Sequence, residues 1–373
     1  MRSKIILVLA FFVLSTCAYA LEDPSYGTIY YLNRLFHTGF TIDNELAYVA
    51  DYSLRFNYAG VQVASISGNK FAIDRQFFVP LPVSEPFYLT ARYTELSLLE
   101  KQELHNIYEF GYRILPSLGF GIIGEPTFDK SSIDVGYSAR FSLFNNYFIA
   151  QYWTLDYLYN EKTESQNYYK KYPRKYVLNW LYRTRGLIGL VHYSSLKAGE
   201  FVARSEPSGQ QRLSNEENNV TIFLKNKTDM YTGGFLLDYL DEQEQREPGV
   251  DQESNLLIVR PFIQVPILPG MSIDTTGMYV STYFKDGKTG NNSNSYWGLM
   301  TLLTHQLMPV IDLQYGYAFL ESQKHTEKSR SKVILTAKFQ FTGNFYLKIL
   351  HSVRPRQGWG SWDGSAVECS YVF

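Results

Sequence analysis

The sequence predicts an all-β protein, a transmembrane antiparallel β-barrel of about 16–18 strands with short turns at one end and long loops at the other. Three observations predict this fold: apolar and polar residues alternate, short and long connections alternate, and aromatic residues lie near the ends of the alternating segments. The 373 residues are 45% hydrophobic and 16% aromatic, a composition that excludes a disordered chain.

The alternating segments are predicted strands with one apolar and one polar face. In the segment 131–143, Asp134 and Arg140 share the polar face. The apolar face carries Ile133, Val135, Tyr137, Ala139, Phe141 and Leu143. The same period of two recurs at 48–57, 311–319 and 333–341. In a membrane barrel the apolar face contacts lipid and the polar face lines the lumen.

Aromatic residues distinguish this prediction from a soluble β-sandwich, whose strands also alternate. A sandwich core is built mainly from Val, Leu and Ile, whereas a membrane barrel places aromatic residues at both interfaces. No linker or change of composition divides the chain into the domains that a sandwich of this length would need. The aromatic residues predicted at or near strand ends are Tyr48, Phe56, Tyr147, Tyr157, Tyr231, Tyr239, Phe262, Tyr279, Tyr283, Tyr296, Tyr317 and Tyr346.

The connections alternate in length. The predicted short links are 116–117, 144–146, 184–186, 266–270 and 342–344. The predicted long polar loops are 160–173, 206–218, 241–253, 285–295, 321–330 and 354–364. Bacterial barrels have short periplasmic turns and long extracellular loops, so the pattern also predicts an orientation.

The N-terminus has the features of a secretory signal peptide over residues 1–20. Arg2 and Lys4 precede an apolar run, and Ala18-Tyr19-Ala20 forms a cleavage site. The alternatives are an uncleaved anchor and a lipoprotein signal that ends at Cys17. Residues 21–45 do not alternate clearly and are a plug, a periplasmic extension or a first hairpin, and residues 46–373 are predicted to form the transmembrane barrel.

The last eight residues read AVECSYVF, in which Val367, Tyr371 and the terminal Phe373 share one face. This pattern resembles the C-terminal strand of Gram-negative, porin-like outer-membrane β-barrel proteins, although it does not identify one family among them. The resemblance implies a location in the bacterial outer membrane. It also implies that these three residues form the signal read by the barrel-assembly machinery, and that outer-membrane lipid and lipopolysaccharide surround the barrel.

A barrel of this size predicts a porin-like channel for passive diffusion of small polar solutes, and a homo-oligomer stays open as its form of assembly. The predicted pore-lining residues are Asp51, Arg55, Asp134, Arg140, Asp312, Lys338 and Glu368. These charges either set the selectivity of the pore or pair with one another and hold the wall together. The acidic segment 241–253 is either a solvated loop or one that constricts the pore and attracts cations.

Two alternatives to a channel stay open. His192 and Ser194 lie two residues apart, on the same face of a predicted strand that could contact lipid. The pair is similar to the His-x-Ser element of outer-membrane lipid A deacylases and phospholipases. That resemblance implies a lipid hydrolase with Ser194 as nucleophile, His192 as base and Glu206 as its orienting group, although Ser195 stands where both families have Asn. The second alternative is a structural or adhesin barrel without solute flux.

Other functional classes lack support in the sequence. A formal net charge of -1 does not favour nucleic acid as a partner. The 6 His residues show no ligand spacing, and removal of the signal peptide leaves Cys369 as the single thiol, so we expect neither a metal site nor a cofactor.

Overall fold

The structure is a computed structural model of the chain. It describes residues 58–67, 70–82, 86–98, 101–115, 117–126, 133–156, 167–169, 172–197, 201–203, 211–247, 252–286, 290–322, 330–342, 345–353 and 362–372. The predicted signal peptide, the segment 21–45 and the start of the predicted barrel at 46–57 lie outside these residues.

The described chain is built from β-strands in a single antiparallel sheet. The strands are β1 (Tyr58–Ser67), β2 (Lys70–Pro82), β3 (Phe87–Leu98), β4 (Lys101–Leu115), β5 (Leu118–Glu125), β6 (Asp134–Leu143), β7 (Asn146–Thr154), β8 (Asn167–Tyr169), β9 (Arg174–Arg183), β10 (Leu187–Lys197), β11 (Phe201–Ala203), β12 (Gln211–Lys227), β13 (Thr232–Glu247), β14 (Gln252–Leu268), β15 (Met271–Asp286), β16 (Gly290–Met308), β17 (Ile311–Ser322), β18 (Arg330–Thr342), β19 (Phe345–Val353) and β20 (Trp362–Val372). No helix among these residues is long and apolar enough to cross a membrane.

The sheet closes into a barrel because β1 pairs with β2 on one edge and with β20 on the other. Of the 20 described strands, β8 and β11 have 3 residues each and pair with one another beside the long strands. The remaining eighteen form a continuous ring of antiparallel pairs. The fold class predicted from the sequence is confirmed, and the number of long strands in the described chain lies within the predicted range.

Tight turns join the strands at one end of the barrel. Residues 144–145 connect β6 to β7, and 269–270 connect β14 to β15. Gly270 has a φ of 77°, a left-handed conformation that glycine adopts without strain. Three of the predicted short links are too long, since Asn146 already belongs to β7, residues 266–268 belong to β14 and Thr342 belongs to β18.

The strands from β12 to β16 are longer than a bilayer requires. They have 17, 16, 17, 16 and 19 residues, whereas a tilted membrane strand needs about 9–11. The prediction that 241–253 is a loop is wrong for most of its length, because Asp241 to Glu244 pair in register with Gln252 to Asn255. Polar residues form a backbone ladder as readily as apolar ones, so hydropathy did not reveal this hairpin.

The two faces of the wall differ in exposure. Leu335 is 48% exposed and its neighbour Ile334 is 1% exposed, on opposite faces of β18. Large apolar residues that are exposed in the same way as Leu335 form the outer face, among them Phe141, Phe148 and Trp180. The register places four aromatic residues predicted for the membrane interfaces on the inner face instead: Tyr147, Phe262, Tyr296 and Tyr346.

Candidate functional site: the polar groups of the inner wall

A row of charged residues crosses the inner face from β17 to β20. The cross-strand register places Asp312 opposite Lys338, Lys338 opposite Lys348, and Lys348 opposite Glu368. The Lys338 ammonium lies 4.6 Å from the centre of the Tyr346 ring, within the range of a cation–π contact. Three of the predicted pore-lining residues therefore belong to one row of the wall, although the side chain of Glu368 is not described.

The predicted pore-lining residue Arg140 belongs to a hydrogen-bonded cluster on β3, β4 and β6. Its Nε donates to Glu109 Oε1 at 2.9 Å, and its Nη2 forms an ion pair with Glu109 Oε2. Ser138 Oγ donates to Glu109 Oε1 at 2.6 Å and Tyr88 OH donates to the same oxygen at 3.1 Å. Glu109 is 1% exposed. The cation thus neutralises a buried carboxylate, which is the structural alternative that the sequence left open.

Sequence reasoning missed Glu109. The signal that identifies it is the alternation in β4, where Glu109 lies between the exposed aromatic residues Tyr108 and Phe110 and therefore points inward.

Glycine residues make room for this cluster. A Cβ atom at Gly111 would overlap the ring of Tyr88, which lies directly opposite in the β3–β4 pair. A Cβ atom at Gly121 would lie 2.8 Å from Ser138 Oγ and 3.1 Å from Glu109 Oε1. The absence of side chains at these two positions lets the phenol and the carboxylate lie flat against the wall.

A second row of polar residues crosses β9, β10, β12 and β13. Asn179, His192, Thr221 and Asp238 follow one another as direct cross-strand partners. His192 Nδ1 lies 2.6 Å from Asn179 Oδ1, and Thr221 Oγ1 donates to Asp238 Oδ1 at 2.7 Å. With Asn179 Oδ1 as the acceptor, this geometry places a proton on Nδ1 and leaves Nε2 free to accept.

His192 and Ser194 lie on the same face of β10, as predicted, but that face is the inner one. Leu190 on the same face is buried against Phe223 of β12 in an apolar cluster, so the expectation that this face could contact lipid is wrong. Among the described residues, Asn179 contacts the imidazole. The predicted orienting group, Glu206, lies outside the described residues.

The other predicted site residues are placed as follows. Asp134 begins β6 on the inner face, and its Oδ1 accepts a hydrogen bond from the backbone N–H of Asp156 at 2.9 Å. Asp51, Arg55 and Phe373 lie outside the described residues. Val367 and Tyr371 of the predicted assembly signal share one face of β20.

The described residues contain no group of three or more His, Cys, Asp or Glu side chains placed to hold a metal ion.

No protein-family model and no curated protein matches the chain. Among solved structures it is similar to OprD of Pseudomonas aeruginosa, at 10% identity over 85% of this chain and 94% of that chain with a TM-score of 0.44. The outer membrane protein OpdK of the same species is 9% identical, with coverage of 85% and 97% and a TM-score of 0.44. A loop deletion mutant of the Vibrio cholerae outer membrane protein OmpT is 7% identical, with coverage of 85% and 98% and a TM-score of 0.42. The assignment as a β-barrel rests on the strand pairing of this chain itself.

Proposed function

We propose that the protein is an outer-membrane channel that allows passive diffusion of small polar solutes. The observation that supports this function is the difference between the two faces of one wall. Apolar side chains such as Phe141 and Leu335 are exposed on the outside, whereas Asp312, Lys338 and Arg140 lie on the inside. A lipid bilayer is the environment that stabilises an exposed apolar outer surface, and fixed internal charges favour polar solutes.

Two rows of polar groups on the inner wall would act on a solute. Lys338 and Lys348 on adjacent strands face acidic residues on either side, so the row presents both signs across a short distance. Such a row orients polar molecules by their dipoles and stabilises neither sign of ion strongly. The hydrogen-bonded row from Asn179 to Asp238 offers amide, imidazole, hydroxyl and carboxylate groups on another part of the wall.

The same proposal includes the surroundings of the barrel. Outer-membrane lipid and lipopolysaccharide would contact the apolar outer face, and the barrel-assembly machinery would bind the end of β20 through Val367, Tyr371 and Phe373. Association into a homo-oligomer is compatible with an outer face that is apolar around the barrel.

Electrical recording from the purified protein in a planar bilayer tests the channel. We expect discrete conductance steps whose ion selectivity changes when Lys338 is replaced by Gln. Lys338 lies on the inner row, so its charge acts on ions in the lumen. The matched control is Lys285→Gln, at an exposed position of β15 outside the row. Absence of open channels at all voltages contradicts the proposal and favours a structural or adhesin barrel.

A second candidate is a lipid hydrolase, and the 2.6 Å contact between His192 and Asn179 favours it. In this mechanism Ser194 Oγ attacks an ester carbonyl, His192 Nε2 takes the hydroxyl proton and later gives it to the leaving alcohol, and Asn179 holds the imidazole. Water then hydrolyses the acyl-serine ester and releases the fatty acid.

Because Ser194 lies on the inner wall, the lipid would have to enter the lumen. Ser194→Ala should abolish hydrolysis if the mechanism operates, and Ser195→Ala on the opposite face of β10 is the control. Lipid A and phospholipid profiles that are unchanged when the gene is deleted would exclude it.

A further inference from the structure

Two cations lie side by side on the outer face, at the end of the barrel away from the tight turns. Arg174 is the first residue of β9, Lys197 is the last residue of β10, and the two are exposed direct partners. Arg174 shares its face of β9 with Leu178 and Trp180, which are 52% and 38% exposed, so the pair points away from the lumen. Like charges directly opposite one another destabilise an antiparallel pair.

No carboxylate in the part of the chain that the structure describes neutralises this cation pair. Neither Arg174 nor Lys197 forms an ion pair with any of these residues. On their other sides the register places Thr154 of β7 opposite Arg174 and Glu216 of β12 opposite Lys197, the latter without an ion pair between them. An anion from outside the chain would relieve the repulsion between the two cations.

The height of the cation pair matches a membrane interface. The strands β9 and β10 have 10 and 11 residues, and a tilted strand needs about 9–11 residues to cross a bilayer. Because the pair lies where these strands end, it lies at the level of the lipid headgroups. A cross-strand row of tyrosines, Tyr137, Tyr152 and Tyr176, precedes it on the outer face, as in the aromatic girdle of a membrane barrel. The long connections of bacterial barrels are extracellular, so these headgroups belong to the outer leaflet.

An apolar groove lies next to the tyrosine row, nearer the middle of the outer face. Its floor contains Ala139 and Ala150, which are direct partners on β6 and β7. The groove has a volume of about 560 Å³. From Leu178 in the groove to Arg174 the chain runs four residues, or about 13 Å along β9. The large side chains that line the groove include Phe120, Phe141, Phe148, Leu178, Trp180 and Tyr193.

From these features we infer that the outer face of β6, β7, β9 and β10 binds one molecule of lipopolysaccharide. A phosphate of its lipid A part would lie between Arg174 and Lys197, and an acyl chain would lie in the groove. Cross-strand partners are about 4.5–5.5 Å apart at their Cα atoms, so both cations can contact one phosphate group. The inference rests on the proposed placement of the barrel in the outer membrane, and it deepens that proposal by assigning a lipid site.

Charge complementarity decides between this lipid and the other occupants of an apolar groove. A neutral acyl chain or an apolar face of a second copy would fill the groove but would leave the two cations opposite one another. Lipid A carries phosphate groups on its sugars and acyl chains below them, so a single molecule supplies both the anion and the hydrocarbon. Cations near the surface of an anionic membrane stabilise binding in this way.

Native mass spectrometry of the full-length protein in detergent, titrated with lipid A that carries two phosphates, tests the site. We expect one bound molecule per chain. The double replacement Arg174→Gln with Lys197→Gln should weaken binding about thirtyfold, because each cation near the membrane surface contributes about a fivefold gain in affinity. The matched control is Arg185→Gln, which removes an exposed cation from the tight turn between β9 and β10 and should leave the affinity unchanged. Equal affinities of the double variant and the unmodified protein would overturn the inference.

Titrations of the unmodified protein test the phosphate without any substitution. Lipid A without phosphates should bind about thirtyfold more weakly than the form with two phosphates. Phosphatidylglycerol, an anionic lipid with one phosphate, should also bind more weakly. Equal binding of the form without phosphates would overturn the phosphate contact, and equal binding of phosphatidylglycerol would overturn the assignment to lipopolysaccharide.

The variant Ala150→Trp tests the acyl chain, because the indole would fill the groove from its floor. We expect an affinity for lipid A that is at least about fivefold lower, since the chain loses its apolar contacts. An unchanged affinity would mean that no acyl chain lies in the groove.

None of these titrations depends on conductance. A barrel that binds lipid A through this site without opening a channel would contradict passive diffusion and leave the lipid site intact. A conducting barrel whose affinity for lipid A is the same in every variant would retain the channel and overturn the lipid site.

Discussion

Glu109 is a carboxylate with nearly no solvent contact, and its stability depends on Arg140 and on the hydroxyl groups of Ser138 and Tyr88. Replacing Arg140 by Met removes the cation and leaves the buried carboxylate with two neutral donors. We expect a loss of about 3–5 kcal/mol in the free energy of unfolding, the usual effect of removing one partner of a buried ion pair. Urea titration of the barrel in lipid vesicles, followed by tryptophan fluorescence, measures it.

The double variant Arg140→Met with Glu109→Gln should recover much of this loss, because no charge then remains buried. The matched control is Lys285→Met, which removes a pair with Glu253 at 3.8 Å between side chains that are largely solvated. That change should alter stability by less than about 1 kcal/mol. An Arg140→Met protein as stable as the Lys285→Met protein would mean that the cluster contributes nothing to the wall.

The ring of Tyr88 occupies the space that a side chain at position 111 would need, so this position accommodates only glycine. Gly111→Ala should therefore displace the ring and lower the free energy of unfolding by about 1–3 kcal/mol. Gly189→Ala is the control, since the nearest atom to its Cβ lies at 3.8 Å, an ordinary contact. In the same urea titration, removing the ring by Tyr88→Ala should abolish most of the penalty of Gly111→Ala. Additive effects of these two substitutions would disprove the steric explanation.

At the scale of the element, the long hairpin of β13 and β14 carries acidic residues beyond the length that a bilayer needs. On the inner face, Glu242 of this hairpin lies directly opposite Glu217 of the preceding strand, β12. If the barrel conducts, two facing carboxylates at its mouth raise the local concentration of cations. Replacing both by Gln should shift the reversal potential in a KCl gradient toward that of a non-selective pore.

Glu253 lies on the opposite face of the same hairpin, where it pairs with Lys285, and Glu253→Gln is the control. A reversal potential that does not respond to the double replacement, or that responds equally to Glu253→Gln, would show that the hairpin lies away from the ion path.

The faces of the strands were predictable from the sequence, whereas their ends and partners were not. In β6 and β18 hydropathy alternates with a period of two, so the outward positions of Phe141 and Leu335 follow from local sequence. The contact of His192 with Asn179 depends on the register of two strands, which local sequence does not carry. Apolar residues on the inner face, such as Phe262, do not follow the expected pattern of polar residues inside and apolar residues outside, because the inner wall is not polar throughout.

At the scale of the whole molecule, closure of the ring fixes which side of every strand faces outward. Because β1 pairs with β20, no strand edge remains open in the ring. If one strand presented its other face to the outside, its paired neighbours would have to do the same, and so would every strand of the ring. The inner wall then divides into a charged part around β17 to β20 and an apolar part around β14 to β18 that shares strands with it.

The assignment of faces predicts the effect of a single charge at two neighbouring positions. Leu335 lies at the middle of β18 on the outer face, and Gln314 lies on the inner face of the adjacent β17. Leu335→Arg should lower the free energy of unfolding in lipid vesicles by about 2–4 kcal/mol, since a cation near the middle of the bilayer loses its hydration. Gln314→Arg should change it far less, because its side chain stays in the lumen. Urea-dependent folding into phosphatidylcholine vesicles measures the stability of both variants. If Gln314→Arg were the less stable of the two, the assignment of the inner and outer faces would be wrong.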